Sequence, residues 1–392
     1  MTRHEIDLTA YPGVFAEPPV DNSFQDVYGG AGELVVLESY LYTPVDHGSD
    51  TVIVFMHPIG GGVYLPMVRA LARAGHHVIY CNSRYRGVDS ALIMEKVVLD
   101  LGACIRDATD RLGYRNVVLG GWSGGGSLSM FYQQQAEHPS LTTTPADDPI
   151  NLADAGLIPA VGVLQLAAHI SRHGTLTEWI DPSIVDESDP DTRDPELDLY
   201  DPDNPHQPPY DADFLGRFRA AQVARNRRIT AWVTDQLDHL RATGRPTAER
   251  AFVVHGTMAD PRWLDPNIDP NGRTPGTCYL GDPRVVNNSP VGLARFTSLR
   301  SWMSQWSFDD ARGDSIVAGR ETTVPVLVVS NSADDACTPS HSHRMFEAIT
   351  HPDKTMHVVE GANHYYLGPD QAPMLAEAVT TVSSWLTDRG WA

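Results

Sequence analysis

The chain has 392 residues, with 42% hydrophobic and 20% charged residues and a formal net charge of −21. That is enough chain and apolar content for a large packed core or for a core with a sizeable insertion. The negative surface, with no basic stripe to offset it, argues against nucleic acid or an anionic membrane as a partner. No stretch approaches the ~18 consecutive apolar residues of a membrane span, and the opening "MTRHEIDLTAYPGVF" lacks a signal-peptide apolar run. Cys81, Cys104, Cys278 and Cys337 form no C-x-x-C pair and read as buried free thiols in a reducing compartment, so a cytoplasmic location is expected.

Taken in chain order, "ELVVLESYLYTP" from about Glu33 reads as one or two strands, and "TVIVFMH" (Thr51 to His57) as a buried strand running into glycines. "LPMVRALARAG" follows as a helix with Gly75 as its stop. "HHVIYCN" is a strand, "ALIMEKVVLDLGACIRDATDRLG" a helix, "NVVLGG" a strand, "SLSMFYQQQAEH" a helix and "IPAVGVLQLAA" a strand. Such alternation predicts an α/β fold with a mostly parallel, doubly wound sheet covered on both faces.

The rhythm breaks from about His169 to Arg320. Between Asp181 and Asp213 stand ten aspartates and seven prolines, a composition that excludes a regular helix or central strand and predicts a solvated excursion. Its carboxylate spacing matches no EF-hand calcium loop. "FLGRFRAAQVARNRRITAWVTDQLDHL" then reads as a long helix with Ile229, Trp232, Val233, Leu237 and Leu240 on one face. A second helix is expected from Val291 to Trp306, presenting Phe296, Leu299, Met303 and Trp306 together. The alternation resumes with the strand "VPVLVVS", a helix from about Ser340, the strand "KTMHVVEG" and the final helix "APMLAEAVTTVSSWL".

One serine sits among glycines in "GGWSGGG" (Gly120 to Gly126). The spelling G-x-S-x-G suits a sharp strand-to-helix turn that presents a hydroxyl for attack. Serine is a poor nucleophile unless a base stands beside it; histidine is the natural base, and a carboxylate fixes its tautomer. Ser123, the acidic turn "SADD" and His364 in "GANHYY" each follow a predicted strand, so the carboxyl ends of a parallel sheet can bring them together.

With "HPIGGG", "NSRYRGVDS", "GWSGGG", "SADDACTP" and "GANHYY" in this order, the chain resembles the α/β-hydrolase superfamily over about residues 33–168 and from Val324 to the C-terminus. Asn82 departs from the family's usual Asp-x-Arg-Gly spelling. The resemblance implies a triad of Ser123, Asp335 and His364. Asp335 is preferred because it stands four residues before Pro339, with Asp334 one residue off. Asp260, in "VVHGTMADP", is read as a decoy, and His57 and His255 as loop histidines. The implied oxyanion donors are the N–H groups of Gly124 and Ile59, with Gly60 second to Ile59 and Pro58 ruled out for want of an N–H. The resemblance also implies a core of residues 1–168 and 321–392 and a mainly helical cap of residues 169–320. The pocket between them is expected to be largely apolar, lined by Trp122, Trp302 and Trp306; His169 and His173 are read as satisfied polar loop residues, with lining of the pocket mouth as the alternative. The expected function is a serine hydrolase acting through an acyl-enzyme on a small hydrophobic or aromatic carboxylic ester, with no cofactor and no metal. Amide, lactone or thioester cleavage by the same triad, or a non-catalytic binding protein on the same fold, are the alternatives.

Overall fold

A computed structural model of the chain describes residues 3–17, 30–31 and 34–392. Eight main strands build one sheet: β1 (Ile6–Ala16), β2 (Leu34–Pro44), β3 (Thr51–Phe55), β4 (His77–Cys81), β5 (Asn116–Ser123), β6 (Gly162–Ala168), β7 (Val326–Asn331) and β8 (Lys354–Val359). Their order is β1-β2-β4-β3-β5-β6-β7-β8, and a two-residue strand, Gly30–Ala31, adds to β2. From β4 to β8 every pairing is parallel, while β1 and β2 run antiparallel at one edge. The strand expected from Glu33 begins at Leu34, Glu33 itself lying outside the described residues.

Helices α1 (Pro66–Arg73), α2 (Met94–Asp110) and α3 (Gly124–Glu137) follow β3, β4 and β5. The period of two along each strand splits the core in two. Val52 and Val54 of β3 face α2 and α3, packing with Val97, Ile105, Leu128 and Phe131. Ile53 and Phe55 face the other way, packing with Val68 and Leu71 of α1 and with Val379 and Val382 of the last helix. Both faces are therefore apolar, which is why these strands read as unbroken hydrophobic runs.

Between β6 and β7 the chain makes its excursion. It contains α4 (Arg172–Trp179), α5 (Ala212–Ala242), a small antiparallel ladder pairing Ala251–Val253 with Phe296–Ser298, and α6 (Leu299–Gln305). The Asp-rich stretch is extended and turning, and its carboxylates do local work. Asp186, Asp194, Asp198 and Asp201 each accept the backbone N–H two residues on, and Asp211 caps α5 by accepting from Phe214 N at 2.7 Å. Ile229, Val233, Leu237 and Leu240 of α5 pack on Leu299, Trp302, Met303 and Trp306 in a third core. Trp232, expected on the same face, is exposed and packs edge-on against Phe252.

The expected helix from Val291 to Trp306 is corrected: only Leu299–Gln305 is helical. Phe296 and Thr297, bulky and β-branched, pair with Val253 and Phe252 instead, and Phe296 is exposed. The excursion also meets the sheet's upper end: Ser304 Oγ donates to Glu95 Oε2 at 2.7 Å, and Trp179, Met258 and Trp263 pack with Ala336 and Cys337. After β7 comes α7 (Pro339–Ala348), and after β8 comes α8 (Ala372–Thr387). The four cysteines are buried and free. No helix of the described residues is long and apolar enough to cross a membrane.

Candidate active site

Ser123 is the last residue of β5 and sits at φ 52°, ψ −126°, a left-handed backbone that a side chain other than glycine's adopts only under constraint. The constraint comes from the glycines. A methyl on Gly121 would lie 2.7 Å from Gly126 Cα; one on Gly125 would lie 2.6 Å from Met56 O; one on Gly126 would lie 2.4 Å from Ala168 Cβ. The turn can therefore wedge between β3 and β6 only with hydrogen at these positions. It leaves Ser123 at the start of α3, directly before Gly124, whose N–H has no carbonyl partner within the helix.

His364 follows β8 in the loop Glu360–Tyr365. Its Nε2 lies 3.2 Å from Ser123 Oγ, and its Nδ1 lies 2.8 Å from Asp334 Oδ2. All three side chains are buried. The carboxylate on His364 is thus that of Asp334, not of Asp335, and the sequence assignment of Asp335 is corrected. The cause is the turn after β7. Asp334 Oδ1 accepts the N–H groups of Ala336 and Cys337, both at 2.8 Å, which folds the carboxylate inward and leaves Oδ2 for the imidazole. Asp335, the next residue, faces elsewhere; its carbonyl accepts from Trp263 Nε1 at 2.8 Å. Burial, and then the charge of Asp334, push the Asp335 carboxyl up to about 6.

The loop after β3 is tied down donor by donor. Ile59 N–H is aimed at Nδ1 of its neighbour His57 at 3.4 Å, and Gly60 N–H donates to His57 O at 2.8 Å. Gly61 N–H donates to Asn82 Oδ1 and Gly62 N–H to Tyr80 Oη, both at 2.6 Å. Asn82 thereby anchors this loop through an acceptor oxygen that an aspartate would also supply. Two residues on, Arg84 forms a buried ion pair with Asp100. Ile59, the expected oxyanion donor, lines the cavity beside Ser123 and Gly124, and its N–H makes only the long 3.4 Å contact to His57 Nδ1.

The cavity over Ser123 measures about 160 Å³, and its lining includes His57, Asp89, Trp122, His169, Arg172, Tyr279, Trp306 and His364. Trp122 lies against His364, with ring centroids 4.7 Å apart. Trp306 lines the cavity under the guanidinium of Arg172, 4.4 Å from the ring centroid. Trp302 does not line it. It is wholly buried between α5 and α6, donating to Thr230 Oγ1 at 2.9 Å, because the short α6 turns one tryptophan inward and leaves the other at its end. The lining is also more polar than expected. His169 belongs to it, bonded through Nδ1 to Thr175 Oγ1 at 3.1 Å, whereas His173 turns away toward Asp314. Asp260, read as a decoy, caps the short helix Pro261–Leu264 and pairs with Arg219 and Arg262. Arg172 and Tyr279 were not singled out from the sequence, nothing in their local spelling separating them from surface residues of an insertion; Asp89 lies in the quoted "NSRYRGVDS" but was given no role there. A larger groove of about 560 Å³ between α5 and the small ladder holds neither Ser123 nor His364.

Among the described residues one group of three metal-capable side chains is close enough to share an ion: Asp334, Cys337 and His364, with ligand atoms within 4.8 Å of one another. Asp334 and His364 already satisfy each other, and burial pushes the Cys337 thiol well up, away from the thiolate a metal prefers.

The strand order, the strained serine turn after β5, and the acid and histidine after β7 and β8 decide the architecture. The chain has the α/β-hydrolase fold. No protein-family profile matches it, and no curated protein sequence matches it. Solved structures similar to this chain include a monoacylglycerol lipase of Paleococcus ferrophilus, at 16% identity and TM-score 0.44, covering 89% of this chain and 99% of that one. Est1E from Butyrivibrio proteoclasticus is 12% identical with TM-score 0.45, covering 90% and 95% of the two chains. A bacterial brefeldin A esterase is 14% identical with TM-score 0.44, covering 99% and 78%.

Proposed function

We propose that this α/β-hydrolase is a serine hydrolase that works through an acyl-enzyme, with Ser123 as nucleophile, His364 as base and Asp334 as the carboxylate that orients it. The observation that carries the reading is the hydrogen-bonded chain Ser123 Oγ–His364 Nε2–Asp334 Oδ2, at 3.2 and 2.8 Å, at the foot of a cavity. With Asp334 accepting from Nδ1–H, Nε2 is left as the lone-pair nitrogen facing the serine. The hydroxyl proton passes to Nε2 as Oγ bonds to the carbonyl carbon, and the same imidazole then protonates the leaving group. Water repeats the sequence to release the acid. Gly124 N–H, at the helix N-terminus next to the nucleophile, stands where negative charge develops on the carbonyl oxygen.

The excursion of residues 169–320 acts in this reading as a cap, since Arg172, Tyr279 and Trp306 close the cavity from above. A space of about 160 Å³ is smaller than the ~300 Å³ at the low end of ligand pockets, so the substrate portion held at the serine is compact. A carboxylic ester with a short acyl group or a small aromatic alcohol fits that space; a long-chain triglyceride does not. The test is a panel of nitrophenyl esters of graded acyl length, read by stopped flow. An initial burst stoichiometric with enzyme, strongest for the shortest acyl groups, is expected. No turnover of any ester, lactone, thioester or amide in the panel would leave a non-catalytic binding protein on this fold.

The two tryptophans separate packing from recognition. Trp302→Ala is expected to lower stability by about 3–5 kcal/mol in denaturant titration and to leave KM of the folded enzyme unchanged. Trp306→Ala, which opens the cavity and frees Arg172, is expected to change the selectivity across the ester panel. Unchanged selectivity in Trp306→Ala would remove the cap from the pocket.

A further inference from the structure

An oxyanion is normally held by at least two donors, and the backbone here supplies one, at Gly124. The loop after β3, where a second is expected, spends its glycine amides on short hydrogen bonds and leaves Ile59 N–H with only a long contact of 3.4 Å. Pro58 has no N–H, and those of Ile59, Gly60, Gly61 and Gly62 are directed to His57 Nδ1, His57 O, Asn82 Oδ1 and Tyr80 Oη. Beside Ile59, Gly60 and Gly62, the loop also turns a polar side chain to the cavity. His57 lines the cavity, and its Nε2 lies 2.9 Å from the point that a Cβ on Gly124 would occupy. The Nη1 of Arg172 lies 3.5 Å from the same point. A Cβ stands about 2.5 Å from its own backbone nitrogen by covalent geometry, so the Gly124 nitrogen and His57 Nε2 are at most about 5.4 Å apart, a gap that one oxygen between them can span.

The tautomer agrees. Because Nδ1 accepts from Ile59 N–H, the single proton of a neutral imidazole belongs on Nε2, facing the cavity. Burial first, then the charges of Arg172 and His364, push the His57 pKa down to about 3, so the ring is neutral at working pH and can donate without surrendering a proton.

We propose that, given Ser123 as the nucleophile, the Nε2–H of His57 is the second oxyanion donor of this enzyme, a side-chain donor in the place of a backbone one. As Ser123 Oγ bonds to the carbonyl carbon and its proton moves to His364 Nε2, the carbonyl π pair moves onto the oxygen. That oxygen accepts from Gly124 N–H and His57 Nε2–H. When the tetrahedral adduct collapses, the pair returns to the carbonyl and the leaving group departs with the proton from His364; His57 keeps its own proton throughout. Arg172 is a positioning residue. Its Nη2 is held by Asp89 at 2.8 Å and its plane by Trp306, while Nη1 makes no hydrogen bond to any described residue and keeps a positive charge beside the imidazole.

The experiment pairs His57→Phe with His57→Gln, whose amide N–H reaches toward the same place. His57→Phe is expected to lose roughly 100- to 1000-fold in kcat, the usual loss for one oxyanion donor, with KM within a few-fold and with affinity for an aryl boronic acid falling in parallel. His57→Gln is expected to recover most of the rate. A folded His57→Phe protein within about threefold of the parent in kcat overturns the proposal. The unmodified protein supplies a second test: nitrogen-15 and proton NMR of its histidines, with and without a trifluoromethyl ketone that forms the tetrahedral adduct. A neutral His57 carrying its proton on Nε2, with that proton moving downfield on adduct formation, supports the proposal; a proton on Nδ1, or no movement, overturns it. Both measurements use enzyme whose Ser123 reacts with a fluorophosphonate. Failure of that reaction removes the serine-hydrolase reading itself and this proposal with it, whereas normal Ser123 reactivity with unresponsive His57 variants removes this proposal alone.

Discussion

Ser123→Ala is expected to abolish ester turnover, with kcat falling roughly 10⁴- to 10⁶-fold, while the melting temperature stays close to that of the parent. The large effect follows from the loss of the hydroxyl that the proposed mechanism uses as its nucleophile. The small structural effect follows from geometry. The Ser123 side chain makes one hydrogen bond, to His364 Nε2 at 3.2 Å. The left-handed turn is set by the close packing of Gly121, Gly125 and Gly126 rather than by the hydroxyl. Steady-state kinetics on a preparation free of endogenous esterases, with a melting curve beside it, checks both halves. Retention of more than a small fraction of the parent's rate would place the nucleophile elsewhere.

The second large effect separates two adjacent carboxylates. Asp334→Asn is expected to cost about 10⁴-fold in kcat, because an amide in its place no longer holds the Nδ1 proton of His364 or balances the imidazolium. Asp335→Asn is expected to leave kcat within a few-fold. Its effect should appear in stability instead. The Asp335 carboxyl is raised to about 6 by burial and by the charge of Asp334, against about 3.9 in an unfolded chain. A raised carboxyl binds its proton more tightly in the folded state. The stability it contributes is full below about pH 4 and is lost as pH rises through about 6. Asp335→Asn is therefore expected to melt higher than the parent at pH 7–8, with the gain vanishing near pH 4. Kinetics and melting curves of both mutants across that range check the assignment; a reversal of the two kinetic effects would return the role to Asp335.

How much of this could be read from the sequence depended on how completely local pattern controlled each feature. The strands from β3 to β7 are buried on both faces, so "TVIVF" and "VLVVSN" announce themselves, and Ser123 and His364 come with them at strand ends. The edge strand β1 was not recognised because "IDLTAYPGVF" has one weakly apolar face and contains Pro12 and Gly13, which an edge tolerates and a central strand does not. The helix expected from Val291 failed because pairing with Ala251–Val253, a contact of long sequence separation, outweighed a helical spacing of bulky residues. Counting back from Pro339 pointed to Asp335, but the direction of a carboxylate is set by which backbone amides catch it, here those of Ala336 and Cys337 on Asp334. A closer signal was present: Asp334 is the first acid after β7, followed two residues on by small Ala336. Of the polar side of the cavity, only His169 was considered as lining from the sequence. Arg172 opens α4, Asp89 and His57 come from two separate loops, and the three meet only in the folded chain.

The acyl-enzyme account rests on one claim, that Ser123 is the residue whose oxygen reacts. Incubating the unmodified protein with a slight excess of a small fluorophosphonate, followed by intact-mass measurement and peptide mapping, tests it directly. The account predicts a single adduct per chain, located on Ser123, with ester turnover lost in proportion to labelling and with labelling slowed in Asp334→Asn but not in Asp335→Asn. Full esterase activity in a protein carrying the Ser123 adduct, or an activity-linked adduct on any other residue, would contradict it.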